Sequence, residues 1–216
     1  MFYALIKLLF WPWRKFYFRI ATQGMENFPH EGPAIVVANH SSYLDAGVLG
    51  GVLPRKIHFV VLTQMFELRR LRWFYAGMQT IAVDPGAGQR GPIRRCVEVL
   101  RSGHVLGIFP EGSRSEDGGL GELQEGAALL AKLSGAPVIP IGVRGAFEAY
   151  PRGVWLPRPR KIHLRVGTAL HFSDAVSQGG SPRDALRLLT TQMREAIDEL
   201  MAPAQPQQLR ASEEIR

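Results

Sequence analysis

Residues 34–53, AIVVANHSSYLDAGVLGGVL, decide the fold class. Five apolar, largely β-branched residues are too few for a helix and carry no polar alternation, so 34–38 reads as a strand covered on both faces. The polar run 39–42 ends it, and the apolar spacing over 45–53 is helical. Outward from this unit the same alternation recurs. Short apolar runs at 57–62, 81–83, 105–109, 138–143 and 162–166 read as strands, and 66–77, 92–102 and 122–134 as helices. Pro92 sits at a first turn, and Gly103 and Gly135 stand at helix C-termini. The order βαβα predicts an α/β fold: a mixed, mostly parallel twisted sheet flanked by helices. The alternating run 161–166 predicts a half-exposed antiparallel edge strand. Ser181, Pro182 and Asp184 form an N-terminal cap for a last helix reaching Met201. The polar tail 203–216 is expected to be disordered.

The chain has 216 residues, 46% hydrophobic and 21% charged, which suits one globular domain with a small appendage. No internal repeat is visible. A single cysteine, Cys96, excludes an internal disulfide framework and a thiolate-rich metal site. Its position in a helical run marks it as a packing residue. The remaining histidines, His30, His58, His104 and His171, lack an acid or cysteine at ligand spacing, so no metal is expected. The net charge of +7 calls for an anionic partner.

Where the charge sits narrows that partner. The first 20 residues, MFYALIKLLFWPWRKFYFRI, carry Lys7, Arg14, Lys15 and Arg19, no acid, and eight aromatic residues. Aromatics among cations are the composition of a membrane interface. Lys7 and Arg14 interrupt the apolar run, so it falls short of the roughly 20 residues of a spanning helix. The cations follow the apolar run, the reverse of a signal peptide. Residues 1–24 are therefore read as an amphipathic membrane-anchoring segment, a kinked helix or two short ones divided near Pro12, lying in the interface; an ordinary helix packed on the core is the alternative. The expected location is peripheral or monotopic, on the cytoplasmic face. Deleting residues 1–20 is expected to weaken binding to anionic vesicles and spare the domain.

Two constellations carry chemistry, each at the end of an apolar strand, where open α/β sheets bind ligands. In Asn39-His40-Ser41-Ser42-Tyr43-Leu44-Asp45, five residues on one helix turn about 500°, which leaves His40 and Asp45 about 140° apart. They meet only if His40 lies in the turn and Asp45 in the first turn of the helix. A carboxylate on one ring nitrogen then leaves the other as a base; a capping pair is the alternative. In Phe109-Pro110-Glu111-Gly112-Ser113-Arg114-Ser115, Gly112 permits close backbone approach, Arg114 offers a planar fork for phosphate, and Glu111 and Ser113 can bond hydroxyls. Backbone N–H groups at the start of the Asp45 helix or near Gly112 are candidates for an oxyanion site. A polar turn with Arg114 paired to Glu111 is the alternative here.

NHSSYLD, then FPEGSRS, then APVIPIGV, in that order, resembles the lysophospholipid (PlsC-like) acyltransferase family over roughly residues 28–150. The resemblance implies transfer of a fatty acyl group from a thioester, acyl-CoA or acyl carrier protein, to a lysolipid hydroxyl. The foremost acceptor is 1-acylglycerol 3-phosphate, giving phosphatidic acid. It implies His40 as base, Asp45 as its orienting group, and Glu111, Gly112, Ser113 and Arg114 at the acceptor's phosphate and head, with no bound cofactor. The run 137–143 is then a wall of the site. Two departures stand out. Val83-Asp84-Pro85 replaces a Val-Asp-Arg-like run, leaving Arg90 and Arg94 as displaced phosphate-binding candidates. Leu123-Gln124-Glu125-Gly126 replaces a cationic run, which opens glycerol 3-phosphate or a non-phosphate lysolipid as acceptor. On this reading 25–202 is the catalytic domain, working at a membrane phospholipid surface.

Two readings of other classes compete. Gly86-Ala87-Gly88-Gln89-Arg90-Gly91 spells GxGxxG between a strand and a helix, the pattern of a dinucleotide-binding oxidoreductase. Asp84 would then stand beside the pyrophosphate, where it repels. Arg152, Arg158, Arg160, Lys161, His163 and Arg165 form a basic run without a nucleic-acid-binding motif, so no nucleic acid is expected. A solvated face or a second membrane or coenzyme contact explains it.

Overall fold

The computed structural model describes residues 2–62, 80–83, 90–151 and 153–203. The expected helix 66–77, Asp84 to Gln89 with Gly86 and Gly88, Arg152, and the tail from residue 204 lie outside the described residues.

Seven strands form one sheet: β1 (Ala21–Gln23), β2 (Ala34–Ala38), β3 (Ile57–Leu62), β4 (Ile81–Val83), β5 (Val105–Ile108), β6 (Val138–Arg144) and β7 (His163–Val166), in the order β1-β7-β6-β2-β5-β3-β4. All neighbours pair in parallel except β6 and β7. The described helices are α1 (Phe2–Pro12), α2 (Leu44–Val52), α3 (Arg90–Arg101), α4 (Gly126–Ser134), α5 (Ala146–Ala149), α6 (Phe172–Gly179) and α7 (Pro182–Met201). A π-helical turn, Trp13–Tyr17, continues α1, and a 3₁₀ turn spans Met25–Asn27.

The period of two in β2 divides its side chains between two cores. Ala34, Val36 and Ala38 pack with Val48, Leu49 and Phe18 under α1 and α2. Ile35 and Val37 pack with Cys96, Leu130, Leu189 and Met193 under α3, α4 and α7. This is why the strand shows no polar alternation. In α7 the Ser181 hydroxyl accepts from Asp184 N at 3.2 Å, and Leu189, Met193 and Ile197 are buried along one face.

Three expectations are corrected. The antiparallel strand predicted at 161–166 is β7, half-buried as expected, but it is interior: β1, which the sequence reading missed, pairs outside it. Helix 122–134 starts only at Gly126, because Gln124 N donates to Pro110 O at 2.9 Å and holds 122–125 as loop. Residues 1–24 are not a separate appendage. Phe18 is 1% exposed within the main core, and Tyr3 Oη donates to Gly50 O at 2.9 Å. Lys7 Nζ donates to Leu53 O, and β1 itself lies inside the segment.

The connections fix where a ligand fits. From β2 the chain passes through α2 to β3 on one side, and from β5 through α4 to β6 on the other. Adjacent β2 and β5 therefore form a topological switch point, with a crevice beyond their carboxyl ends.

Candidate active site

Both constellations border that crevice. His40 follows β2 in the turn, Asp45 is the second residue of α2, and His40 Nδ1 stands 2.9 Å from Asp45 Oδ2. Asp45 is fully buried while the His40 side chain keeps 22% exposure, so the carboxylate anchors and the imidazole reaches outward. Asp45 Oδ2 also accepts from Ser41 N at 2.8 Å and Ser42 N at 2.7 Å. The two backbone N–H groups mark Oδ2 as an acceptor, so the imidazole is the donor in the bond between them. The network thus assigns the imidazole proton to Nδ1 and leaves Nε2 as the basic nitrogen.

Further contacts hold His40 from the second constellation. His40 N donates to Glu111 Oε1 at 2.7 Å, and Ser115 N donates to His40 O at 2.7 Å. The imidazole stacks on Phe109 with centroids 4.0 Å apart and planes 16° from parallel. Glu111 Oε2 accepts from Gly121 N at 2.9 Å, so each oxygen of the carboxylate braces one backbone N–H. Burial raises its pKa above the usual carboxylate range, more than the His40 and Gly121 N–H groups lower it. Gly112 has φ 74°, a left-handed turn suited to glycine, and a Cβ there would lie 2.8 Å from Gln124 Nε2.

The Arg114 guanidinium lies 3.5 Å from the centre of the Tyr43 ring, a cation–π contact. Glu111, Ser113, Arg114, Ser115 and Gln124 line a cleft of 570 Å³ beside His40. Phe109, Tyr43, Asn39 and Ser42, all within the two constellations, support the site through partners the sequence reading did not give. Asn39 is buried and exchanges two bonds with Val143, 2.8 and 2.7 Å, and Ser42 Oγ donates to Tyr150 O at 2.9 Å. A buried amide beside a catalytic candidate was a readable signal; the partners, 104 and 108 residues away, were not.

Arg90 and Arg94 are placed elsewhere. They lie on exposed turns of α3 over a separate groove with Ile93, Val97 and Leu133, and Arg94 Nε bonds Glu98 Oε1 at 2.8 Å. Gly91 is the second residue of α3. Of the proposed oxyanion donors, Ser41 N, Ser42 N, Leu44 N, Asp45 N and Gly112 N are all engaged within the protein. In the basic run, Arg165 bonds Leu200 O at 2.6 Å and His163 is half-buried, which leaves Arg158, Arg160 and Lys161 exposed. Among the described residues no group of three or more His, Cys, Asp and Glu is placed to hold a metal.

The structure thus sets a histidine on a buried carboxylate at the switch point of an open α/β sheet, bonded through its backbone to the turn that carries Arg114. The chain belongs to the acyltransferase family, whose model matches residues 19–144. It is 34% identical over 141 residues to a chloroplastic 1-acyl-sn-glycerol-3-phosphate acyltransferase of Arabidopsis thaliana, covering 63% of this chain and 39% of that protein. It is 29% identical over 177 residues to the 1-acyl-sn-glycerol-3-phosphate acyltransferase of Bacillus subtilis, covering 81% and 84%. The Pseudomonas aeruginosa enzyme of the same name is 29% identical over 197 residues, covering 90% and 73%. The chain thus spans about two fifths of the plant relative and most of the bacterial ones. The crystal structure of the 1-acyl-sn-glycerophosphate acyltransferase PlsC of Thermotoga maritima shares the fold, with TM-score 0.76 and 22% identity over 94% of this chain and 81% of that one.

Proposed function

We propose that the chain transfers a fatty acyl group from an acyl thioester to the free hydroxyl of 1-acylglycerol 3-phosphate, giving phosphatidic acid. The observation that carries this reading is the His40–Asp45 pair, 2.9 Å apart, with the His40 backbone bonded to Glu111 and Ser115 of the cleft that Arg114 also lines. His40 Nε2 takes the hydroxyl proton as the oxygen attacks the thioester carbonyl carbon. The tetrahedral intermediate then expels the thiolate, the C–S bond breaks, and His40 returns its proton to sulfur. Asp45 stabilises the imidazolium between the two transfers.

No acyl-enzyme is needed. Cys96 is 3% exposed in α3, and burial pushes its thiol up to about 11. Ser113 and Arg114 are assigned to the acceptor phosphate, with Glu111 and Gly112 shaping that turn. Arg90 and Arg94, across a separate groove, leave the head group to Arg114. The donor, acyl-CoA or acyl carrier protein, is soluble, and the acceptor is a membrane lipid, so the reading places the protein peripherally on the cytoplasmic face. Among the described residues no helix is long and apolar enough to cross a membrane.

The test is transfer from labelled acyl-CoA and acyl carrier protein to a panel holding 1-acylglycerol 3-phosphate, glycerol 3-phosphate and head-group-bearing lysolipids. His40→Ala is expected to lose about 10²- to 10⁴-fold in kcat with the fold intact, and Asp45→Asn to lose activity by misorienting the ring. Absence of transfer to every acceptor, or a covalent acyl-protein trapped during turnover, overturns the reading.

A further inference from the structure

Residues 1–25 and 149–173 are the two longest stretches of the sequence without an acidic residue. Far apart in the chain, they are adjacent in the fold. β1 pairs with β7, Ala21 N donates to Ile162 O at 2.9 Å, and Ile162 N donates to Phe18 O at 3.0 Å. Tyr17 Oη donates to Pro157 O at 2.7 Å, and its ring lies 4.9 Å from that of Trp13. The loop between α5 and β7 is thereby fixed beside the π-helical turn.

That loop exposes apolar surface to water. Trp155 is 87% and Leu156 62% exposed, while Trp13 at 46% and Phe16 at 67% project from the neighbouring turn. Exposed Lys15, Arg19, Arg158, Arg160 and Lys161 flank them, with no carboxylate in either segment. Large apolar side chains flanked by cations within both segments match an anionic lipid surface, in which the rings enter the interface and the cations meet phosphates.

Topology sets the direction of this surface. β6 runs parallel to β2, so the loop that leaves β6 starts at the same carboxyl rim as His40. The antiparallel β7 descends from that rim, and β1, parallel to β7, also begins there. Ser42 Oγ bonds Tyr150 O, and the rings of Tyr43 and Tyr150 lie 6.1 Å apart, which ties the base of the loop to the turn carrying His40. Arg158 N closes the loop on Ala149 O at 2.7 Å.

We infer that the loop 150–161, through Trp155 and Leu156, is a second membrane-inserting element that docks together with the N-terminal segment and turns the rim of His40 toward the lipid surface. This rests on the proposed lysolipid reading and adds a contact to the anchor expected of residues 1–24. An amphipathic segment alone can roll on a membrane; a second fixed point at the rim sets which side of the domain faces the lipid.

The test uses the full chain with vesicles of phosphatidylcholine and phosphatidylglycerol. Trp155→Ser/Leu156→Ser is expected to weaken partition about tenfold or more, since both side chains lose an interfacial burial site. A second variant keeps Trp155 as its only tryptophan, with phenylalanine at Trp11, Trp13 and Trp73. Its emission is expected to shift to the blue on binding and to be quenched by brominated lipid. A short-chain, water-soluble lysolipid in the transfer assay separates the two readings: the double serine variant retains that turnover if only docking is impaired. Unchanged partition, or Trp155 left unquenched by brominated lipid, overturns the inference while leaving the activity in place. Protection of Trp155 by acyl carrier protein and not by lipid also overturns it, because the surface then docks a protein. Loss of transfer to every lysolipid by the wild-type chain overturns the function itself.

Discussion

Glu111 ties the two halves of the site together, because one carboxylate accepts from His40 N and from Gly121 N. Glu111→Gln keeps an acceptor for one and turns a donor toward the other. The expected result is a fall in kcat of up to about 10²-fold through misplacement of His40, with both KM values little changed; a selective rise in the acceptor KM would assign Glu111 to substrate contact instead. The pKa of Glu111 is raised by burial, so the folded chain holds this proton more tightly than the unfolded one. The sign follows: this group favours folding most below its unfolded value and progressively less as pH rises through the folded one. Arg114 stands at the other limit, aimed at the cleft and resting on Tyr43. Arg114→Ala is expected to raise KM for a phosphorylated acceptor about tenfold or more, as loss of a charge-assisted contact does, and to leave the thioester KM unchanged. Steady-state kinetics in both substrates decides it, and equal losses remove Arg114 from the head group.

At the scale of elements, α3 and α7 make two tests. Cys96 is held in α3 against the second core, with a thiol pKa of about 11. At pH 8 the thiolate fraction is then on the order of 10⁻³, so a thiol-specific disulfide reagent is expected to leave the native protein unmodified and to react at once in denaturant. Rapid native labelling would show that α3 opens. Gly142 of β6 lies directly beneath α7: a Cβ there would stand 2.6 Å from the carbonyl carbon of Leu200. Backbone cannot yield as a side chain does, so Gly142→Ala is expected to cost about 1–3 kcal/mol by overpacking. Denaturant unfolding reads this as a lower midpoint at unchanged slope.

On the scale of the whole molecule, the N-terminal segment belongs to the packed domain. Removing residues 2–12 strips α1 from α2, whereas removing residues 2–20 also takes Phe18 from the core and the residue that leads into β1. The shorter deletion is expected to leave a folded chain with weaker vesicle binding. The longer one is expected to lower stability by at least the roughly 3–5 kcal/mol of a buried aromatic, measured as a fall in melting temperature. Equal melting of both deletions and the full chain would return the segment to a detached anchor.

Features with a local cause could be read from the chain alone. A doubly covered strand needs continuous apolar residues, so β2, β5 and β6 were legible, and the cap Ser181-Pro182-Asp184 fixed the start of α7. The spacing of His40 and Asp45 restricted their meeting to a turn followed by a helix, the arrangement found at 2.9 Å. What tertiary structure decided depends on partners distant in the chain. β1 is three half-buried residues with no pattern of their own, a strand only because β7 lies beside it. The switch point follows from strand order, and periodicity, which reports burial, says nothing about which neighbour does the burying. The reach of Glu111 to His40 spans 71 residues, and that of Tyr17 to Pro157 spans 140. Such contacts are fixed by packing both layers onto one sheet, and no window of sequence contains both of their ends.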